Sequence, residues 1–235
     1  MKTPDVDLQA VRREWLRRTE AEYRSSATTA QVSLWLLQLG APPPLIREGL
    51  RIVNDELKHA ELSYRVYQKA GGTAHAALAR EGLGAARARA SLEHDLLHVA
   101  AQVFCLGETA AVRLFHRLRA RCSVPVARTA LDRVLRDEVR HRDFGWAMLE
   151  WLLTLDSAPE LRASLEQALP SMLAGLARSY GGMIDEAQIH EHEARFSPAV
   201  RAWGLMPPSE YRQAIALCMQ RDLRPRFAKL AVRIL

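Results

Sequence analysis

"DEVRHRDFGW", residues 137–146, sets Glu138 and His141 three residues apart in a stretch whose composition is helical. On a helix, residues three apart share a face with Cβ atoms about 5–6 Å apart, so a carboxylate and an imidazole can meet at one point. Alone the pair means little. With 17 Glu and 8 His in 235 residues, chance supplies roughly half an instance of that spacing. Its reading depends on whether the rest of the chain answers it.

A second Asp-Glu-x-x-His does so in "DELKHAELSYRVY" (residues 55–67), with Glu56 and His59. Both motifs fall in long helical segments. The chain is rich in Ala, Leu, Arg and Glu and sparse in Gly (12) and Pro (11), which favours helix and argues against a large sheet. Segments are expected from about Asp5 to Leu39, Leu45 to Ala70, Ser91 to Arg121 and Ala127 to Leu155. Asp5 or Asp7 can cap the first, "GAPPP" (40–44) ends it, Gly71 and Gly72 end the second, and "CSVPV" separates the third from the fourth. Two hairpins of long helices joined by an Ala/Arg/Gly-rich crossover (about 70–90) predict a four-helix bundle. The paired motifs read as an internal duplication. Residues 158–235 predict shorter helices at about 158–179, 185–194 and 208–224, forming a cap on the bundle of residues 1–157 within the same domain.

Two matched pairs of Glu and His on facing helices can bind metal ions, and a pair of ions needs further anionic donors from the other two helices. The third segment offers Glu108, the only acid in "VAAQVFCLGETAAVRLF" (99–115). A buried, unpaired carboxylate costs several kcal/mol, and no Lys or Arg lies within a turn on its face, so a metal or an interhelical ion pair is required. The first segment offers Glu22, on the face of Leu8, Val11, Trp15, Ser26, Thr29, Ser33 and Leu36; Glu20, on a face with Arg13, Arg17, Arg24 and Gln31, is the alternative. Glu22 to Glu56 and Glu108 to Glu138 are similar separations, which sets each pair at similar depth in antiparallel helices.

In this order of residues the chain resembles ferritin-like di-iron carboxylate proteins over about residues 8–155. More narrowly, "EYRSSATTAQVSLWLLQLGAPPPL" (22–45), "DELKHAEL", "CLGETAA" and "DEVRHRDFGW" are similar to bacterial ferritin-like domain proteins. The resemblance implies an all-α fold and two iron ions held by Glu22, Glu56, His59, Glu108, Glu138 and His141. Iron–manganese or dimanganese pairs suit the same donors. It further implies Glu56 and Glu138 as bridges, Glu22 and Glu108 as terminal ligands, and Asp55 and Asp137 as partners that orient a metal-bound His across the bundle.

Thr29, Cys105 and Thr109 are candidates for an adjoining pocket. His94 and His98 lie about 15–21 Å along the helix from Glu108, too far to ligate the same ions. Tyr64, Tyr67, Trp35 and Trp146 are read as packing, and "HEHE" (190–193) as a solvated helix.

The function expected is an oxidoreductase or oxygenase that activates O₂ to oxidise a small organic substrate, fed by a ferredoxin- or flavin-reductase-type electron donor. The C-terminal cap favours this, because a substrate pocket needs walls. The alternatives are an iron-handling ferroxidase or peroxide-scavenging rubrerythrin-like protein, and a tRNA-modifying hydroxylase. A Cys₄ rubredoxin-type module is absent from the sequence. A metal-free helical interaction module would make all six candidate ligands coincidental. The net charge of +6 and pI near 9.6 come from dispersed Arg, with only Lys2, Lys58, Lys69 and Lys229, so a solvated basic surface is expected rather than a nucleic-acid face. Three cysteines, no signal-peptide pattern and no spanning apolar run predict a cytoplasmic protein that meets no membrane and can form a homodimer.

Overall fold

The computed structural model describes residues 5–78, 83–89, 91–180, 193 and 196–234, with side chains from residue 8 onward. All regular elements among them are helical: α1 (Asp5–Gln38), α2 (Pro43–Lys69), α3 (Leu92–Ala120), α4 (Pro125–Leu152), α5 (Ala158–Ser179), α6 (Pro198–Arg201) and α7 (residues 208–229). The punctuation follows local chemistry. Gly40 turns out of α1 at φ +66, a left-handed conformation that costs a residue without Cβ little. Prolines occupy the first turn of α2 and of α4, where the missing N–H would have no helical partner. Both helices therefore begin two residues earlier than the sequence suggests. Ser91 caps α3, its hydroxyl accepting from the His94 N–H at 3.2 Å.

The four long helices lie side by side in a bundle-like array: α1 packs on α2, α2 on α4, α4 on α3, and α3 meets α1. Contact between α1 and α3 is sparse and concentrated at the start of α3, which leaves space between them further along. The core holds Val11, Trp15, Ile52, Leu97, Phe104, Leu131, Met148 and Leu149. The α2–α3 connection runs back along α1. Its Ala77 N–H donates to Glu20, and its Ala74 N–H donates to the Tyr67 hydroxyl.

The C-terminal helices pack on the same core. α5 lies against α3, and α7 against α3 and α5. The segment before α7 is fastened to α1, with the Trp15 indole N–H donating to Trp203 O at 3.0 Å and Arg18 Nη2 donating to Gly204 O at 3.0 Å. α7 runs five residues beyond its expected end, through a π turn at Met219–Leu223. The expected helix at 185–194 lies outside the described residues, as does "HEHE" apart from Glu193.

Two expectations are corrected. α3 is long and apolar enough to cross a membrane, contrary to the reading that no run is; 61% of its most apolar window is buried inside the protein, so its apolarity reflects contact with helices on several sides. And α3 is not uniformly α-helical: residues Ala100–Glu108 form a π-helical stretch that ends at Glu108. Such wide turns cost hydrogen-bond geometry and recur at functional sites.

Candidate metal centre

Six side chains from the four long helices converge in the interior. Glu22 comes from α1, Glu56 and His59 from α2, Glu108 from the end of the π stretch, and Glu138 and His141 from α4; each is at least nine-tenths buried. Donor atoms of Glu22, Glu56, His59 and Glu138 lie within 4.8 Å of one another, and so do those of Glu56, Glu108 and His141. Glu56 is common to both groups. His59 Nδ1 is 3.3 Å from Glu56 and 3.9 Å from Glu138, and His141 Nδ1 is 3.4 Å from Glu56 and 3.7 Å from Glu138. The two imidazole rings are 5.6 Å apart. Of the two first-helix alternatives, Glu22 stands in the cluster, while Glu20 holds the α2–α3 connection.

Each histidine is gripped from behind by the other motif. His59 Nε2 is 3.2 Å from Asp137, and His141 Nε2 is 3.5 Å from Asp55. An Nε2–H donated to a carboxylate leaves the Nδ1 lone pair aimed into the cluster, the tautomer a metal requires. The Asp pair is in turn clamped. Arg140 donates to Asp137 at 2.9 Å and to Asp55 at 2.6 Å, and Arg133 bonds both as well. The Arg140 side chain turns across to α2, because two buried aspartates need a counter-charge there. Ser25 donates to Glu56 Oε1 at 2.8 Å.

The electrostatics follow from crowding four carboxylates out of water. Burial and the charge of Glu56 push Glu22 well above the ordinary carboxylate range. Burial and then Glu108 do the same to Glu138, and burial raises Glu108. Burial would raise Glu56 too, but the adjacent imidazoles of His141 and His59 hold it low. For the histidines burial favours the neutral ring. The bond to Asp137 and the nearby charge of Glu56 overcome this and raise His59 to about 9, and the bond to Asp55 and the charge of Glu56 raise His141 to about 10.

A cation fits these residues. Glu56 Oε2, Glu138 Oε2, His59 Nδ1 and His141 Nδ1 are all buried without a hydrogen-bond partner, and all belong to the two motifs. Buried polar atoms normally find partners, and four unsatisfied at one point mark a place where something else is held. Carboxylate oxygen with imidazole nitrogen is a donor set for divalent ions of intermediate hardness. This buried Glu/His group could hold a metal ion.

A cavity of about 310 Å³ opens from the cluster between α1 and α3, touching Glu22, Glu56, Glu108 and Glu138. None of the three expected pocket residues lines it. Thr29 donates back to Ser25 O, Thr109 accepts the Trp146 indole N–H at 3.1 Å, and Cys105 lies against Gly145 of α4. The wide π turns carry Cys105 off the face of Glu108 that a regular α-helix would give it, while Thr109, next to Glu108, already points about 100° away from it. The walls come instead from Val103, Ala111, Leu114 and Phe115 of α3, and Arg18, Tyr180 and Tyr211 also line it. Spacing could have found Arg133 and Arg140, at i−4 and i+3 from Asp137. No local signal marks Tyr180 or Tyr211.

No family model, curated protein or solved structure matches the chain.

Proposed function

We propose that the chain is a ferritin-like four-helix protein whose carboxylate–histidine cluster holds two iron ions and that it is an oxidoreductase acting with O₂ on a small organic substrate. The observation that carries this is the set of four unpartnered donor atoms on two duplicated motifs, facing one another beside a walled cavity. Glu22, Glu56, Glu108 and Glu138 with His59 and His141 would hold the metals, with Glu56 shared. Four carboxylates balance the charge of two divalent ions. An iron–manganese or dimanganese pair would use the same donors. Bound there, a metal pair supplies the redox chemistry with O₂ that amino-acid side chains lack.

The chain's own residues do the rest. Asp55 and Asp137 orient the imidazoles, and Arg133 and Arg140 keep those aspartates ionised. The apolar wall of α3 excludes bulk water and gives a substrate a surface to lie on. For a hydroxylation, substrate C–H, O₂, two electrons and two protons yield C–OH and water, so an external electron donor of ferredoxin or flavin-reductase type is part of the proposal. The cavity favours this over simple iron storage, which needs no organic pocket.

Metal analysis of protein purified without oxygen tests the centre. About two iron or manganese ions per chain are expected, falling below one in Glu108→Ala. Less than one ion in the wild type, unchanged by that substitution, would overturn the reading. Mixing the reduced protein with O₂ separates the activities: oxidation of many irons into a mineral core would replace the oxygenase reading with iron handling.

A further inference from the structure

One wall of the cavity carries a residue that neither the backbone nor the packing calls for. Val103, Gly107 and Ala111 follow one another at four-residue spacing on α3, and all three line the cavity. Gly107 directly precedes Glu108 and lies inside the helix at negative φ, where glycine is a poorer helix former than alanine. A Cβ there would meet only Gln102 O, at 3.6 Å, which is ordinary contact. Gly145 is the opposite case, because a Cβ on it would come within 2.5 Å of Phe104 Cβ. The missing side chain of Gly107 relieves no clash. What it leaves is open space beside Glu108, in a cavity that also reaches Glu56 and Glu138, whose buried Oε2 atoms have no hydrogen-bond partner.

Charge limits what can lie in that space. Beyond the four carboxylates of the cluster, the charged residues lining the cavity, among those described, are Glu14, Arg17 and Arg18. These three serve one another. Arg17 and Arg18 both donate to Glu14, Arg18 also donates to Gly204 O, and its guanidinium lies 4.5 Å over the Trp15 ring. Arg17 keeps 63% of its side chain in solvent. No charge inside the cavity is left to hold a charged end of a ligand. The remaining walls are apolar or aromatic: Ala21, Leu114 and Phe115, with the rings of Tyr180 and Tyr211 lying 15° from parallel. Flat aromatic walls suit a planar ring. The volume of about 310 Å³ is about twice the roughly 150 Å³ of an apolar cavity that holds benzene, which is room for one or two rings.

We propose that this cavity binds a neutral, largely apolar compound of one or two rings, and that Gly107 determines how large a molecule can lie against the Glu22–Glu56–Glu108–Glu138 cluster. As a substrate assignment this rests on the oxidoreductase reading above. A side chain at Gly107 would fill the space where the reacting carbon meets the metals, so the selectivity is steric.

The test is titration calorimetry on the full chain, metal-free and loaded with zinc, a redox-inert ion, with zinc content measured first. The probes are benzene, indole and benzoate. Benzene and indole are expected to bind, and benzoate at least ten-fold more weakly than benzene. Gly107→Leu should weaken indole at least ten-fold and benzene less than three-fold, with zinc content unchanged. Gly107→Ala should melt no lower than the wild type. Gly175→Leu, at a helix glycine of α5 outside the cavity, should change neither affinity. If Gly107→Leu does not fold, Ala111→Leu, one turn along the same stripe, takes its place.

Benzoate binding as tightly as benzene would overturn the neutral-ligand assignment, and so would a chain that binds neither benzene nor indole. An indole-to-benzene ratio unchanged in Gly107→Leu would overturn the selectivity role. A melting temperature several degrees lower in Gly107→Ala would do the same, by making the glycine structural. The two readings fail separately. A chain that takes up no zinc yet shows the Gly107-dependent size limit keeps the ring site and loses the metal centre. A chain with two zinc ions that binds neither ring does the reverse.

Discussion

Asp137 and Asp55 each touch the histidine of the opposite motif, so every imidazole is fixed by a group two helices' sequence away. Burial would raise Asp137, but bonds from His59, Arg133 and Arg140 hold it well below the usual carboxylate range. Removing the charge while keeping the shape frees the ring to rotate. Asp137→Asn is expected to weaken metal binding about 10–100-fold, read by competition with a chelator. Protons report the same chemistry. His59 and His141, at about 9 and 10, are protonated at pH 7, and Glu22 and Glu138 are raised by burial. Metals bind only the deprotonated groups. Loading at pH 7 is therefore expected to release protons, and affinity should fall as pH falls; calorimetry in buffers of differing ionisation enthalpy counts them. Loading without proton release would contradict this. The six donors were legible in the sequence because helical spacing fixes which side chains share a face. The choice of Glu22 over Glu20 follows the same rule, since two residues along a helix point to nearly opposite sides.

At the scale of elements, α4 comes close to the π stretch of α3 at Gly145. A Cβ on Gly145 would come within 2.5 Å of Phe104 Cβ, 2.9 Å of Phe104 C and 3.1 Å of Cys105 N. Much of what it meets is backbone, which cannot step aside. Ala is the better helix former by about 1 kcal/mol, but overpacking typically costs about 1–3 kcal/mol. Packing should win or at best cancel: Gly145→Ala is expected not to stabilise the protein, and to lower its melting temperature by roughly 2–4 °C per net kcal/mol lost. A clear rise in thermal melting would refute the clash. Helix ends could be read to within a few residues from proline, glycine and serine chemistry. The π stretch could not, because its apolar sequence is equally compatible with a regular α-helix. That is why simple periodicity misplaces Cys105.

At the scale of the molecule, the C-terminal helices are walls of the core. Phe227 of α7 is fully buried and stacks edge-on against Trp146 of α4 at 4.9 Å, and Trp146 in turn bonds Thr109 of α3. Phe227→Ala is expected to cost about 3–5 kcal/mol. Because α3, α4 and α7 share this contact, far-ultraviolet dichroism and tryptophan fluorescence should shift together in denaturant. Separate transitions would show that the C-terminal part unfolds on its own.

Composition, helix punctuation and the duplicated Asp-Glu-x-x-His motif determined from sequence that this chain is all-helical and which six side chains could meet. Those signals are local: propensity, capping and the 3.6-residue repeat act within a turn or two of each residue. Only the tertiary structure decided what surrounds the six. The Arg133–Arg140 clamp and the cavity between α1 and α3 both arise where segments distant in sequence are brought together. Such contacts depend on packing and on charge left uncompensated across helices, and no periodicity within one helix records them.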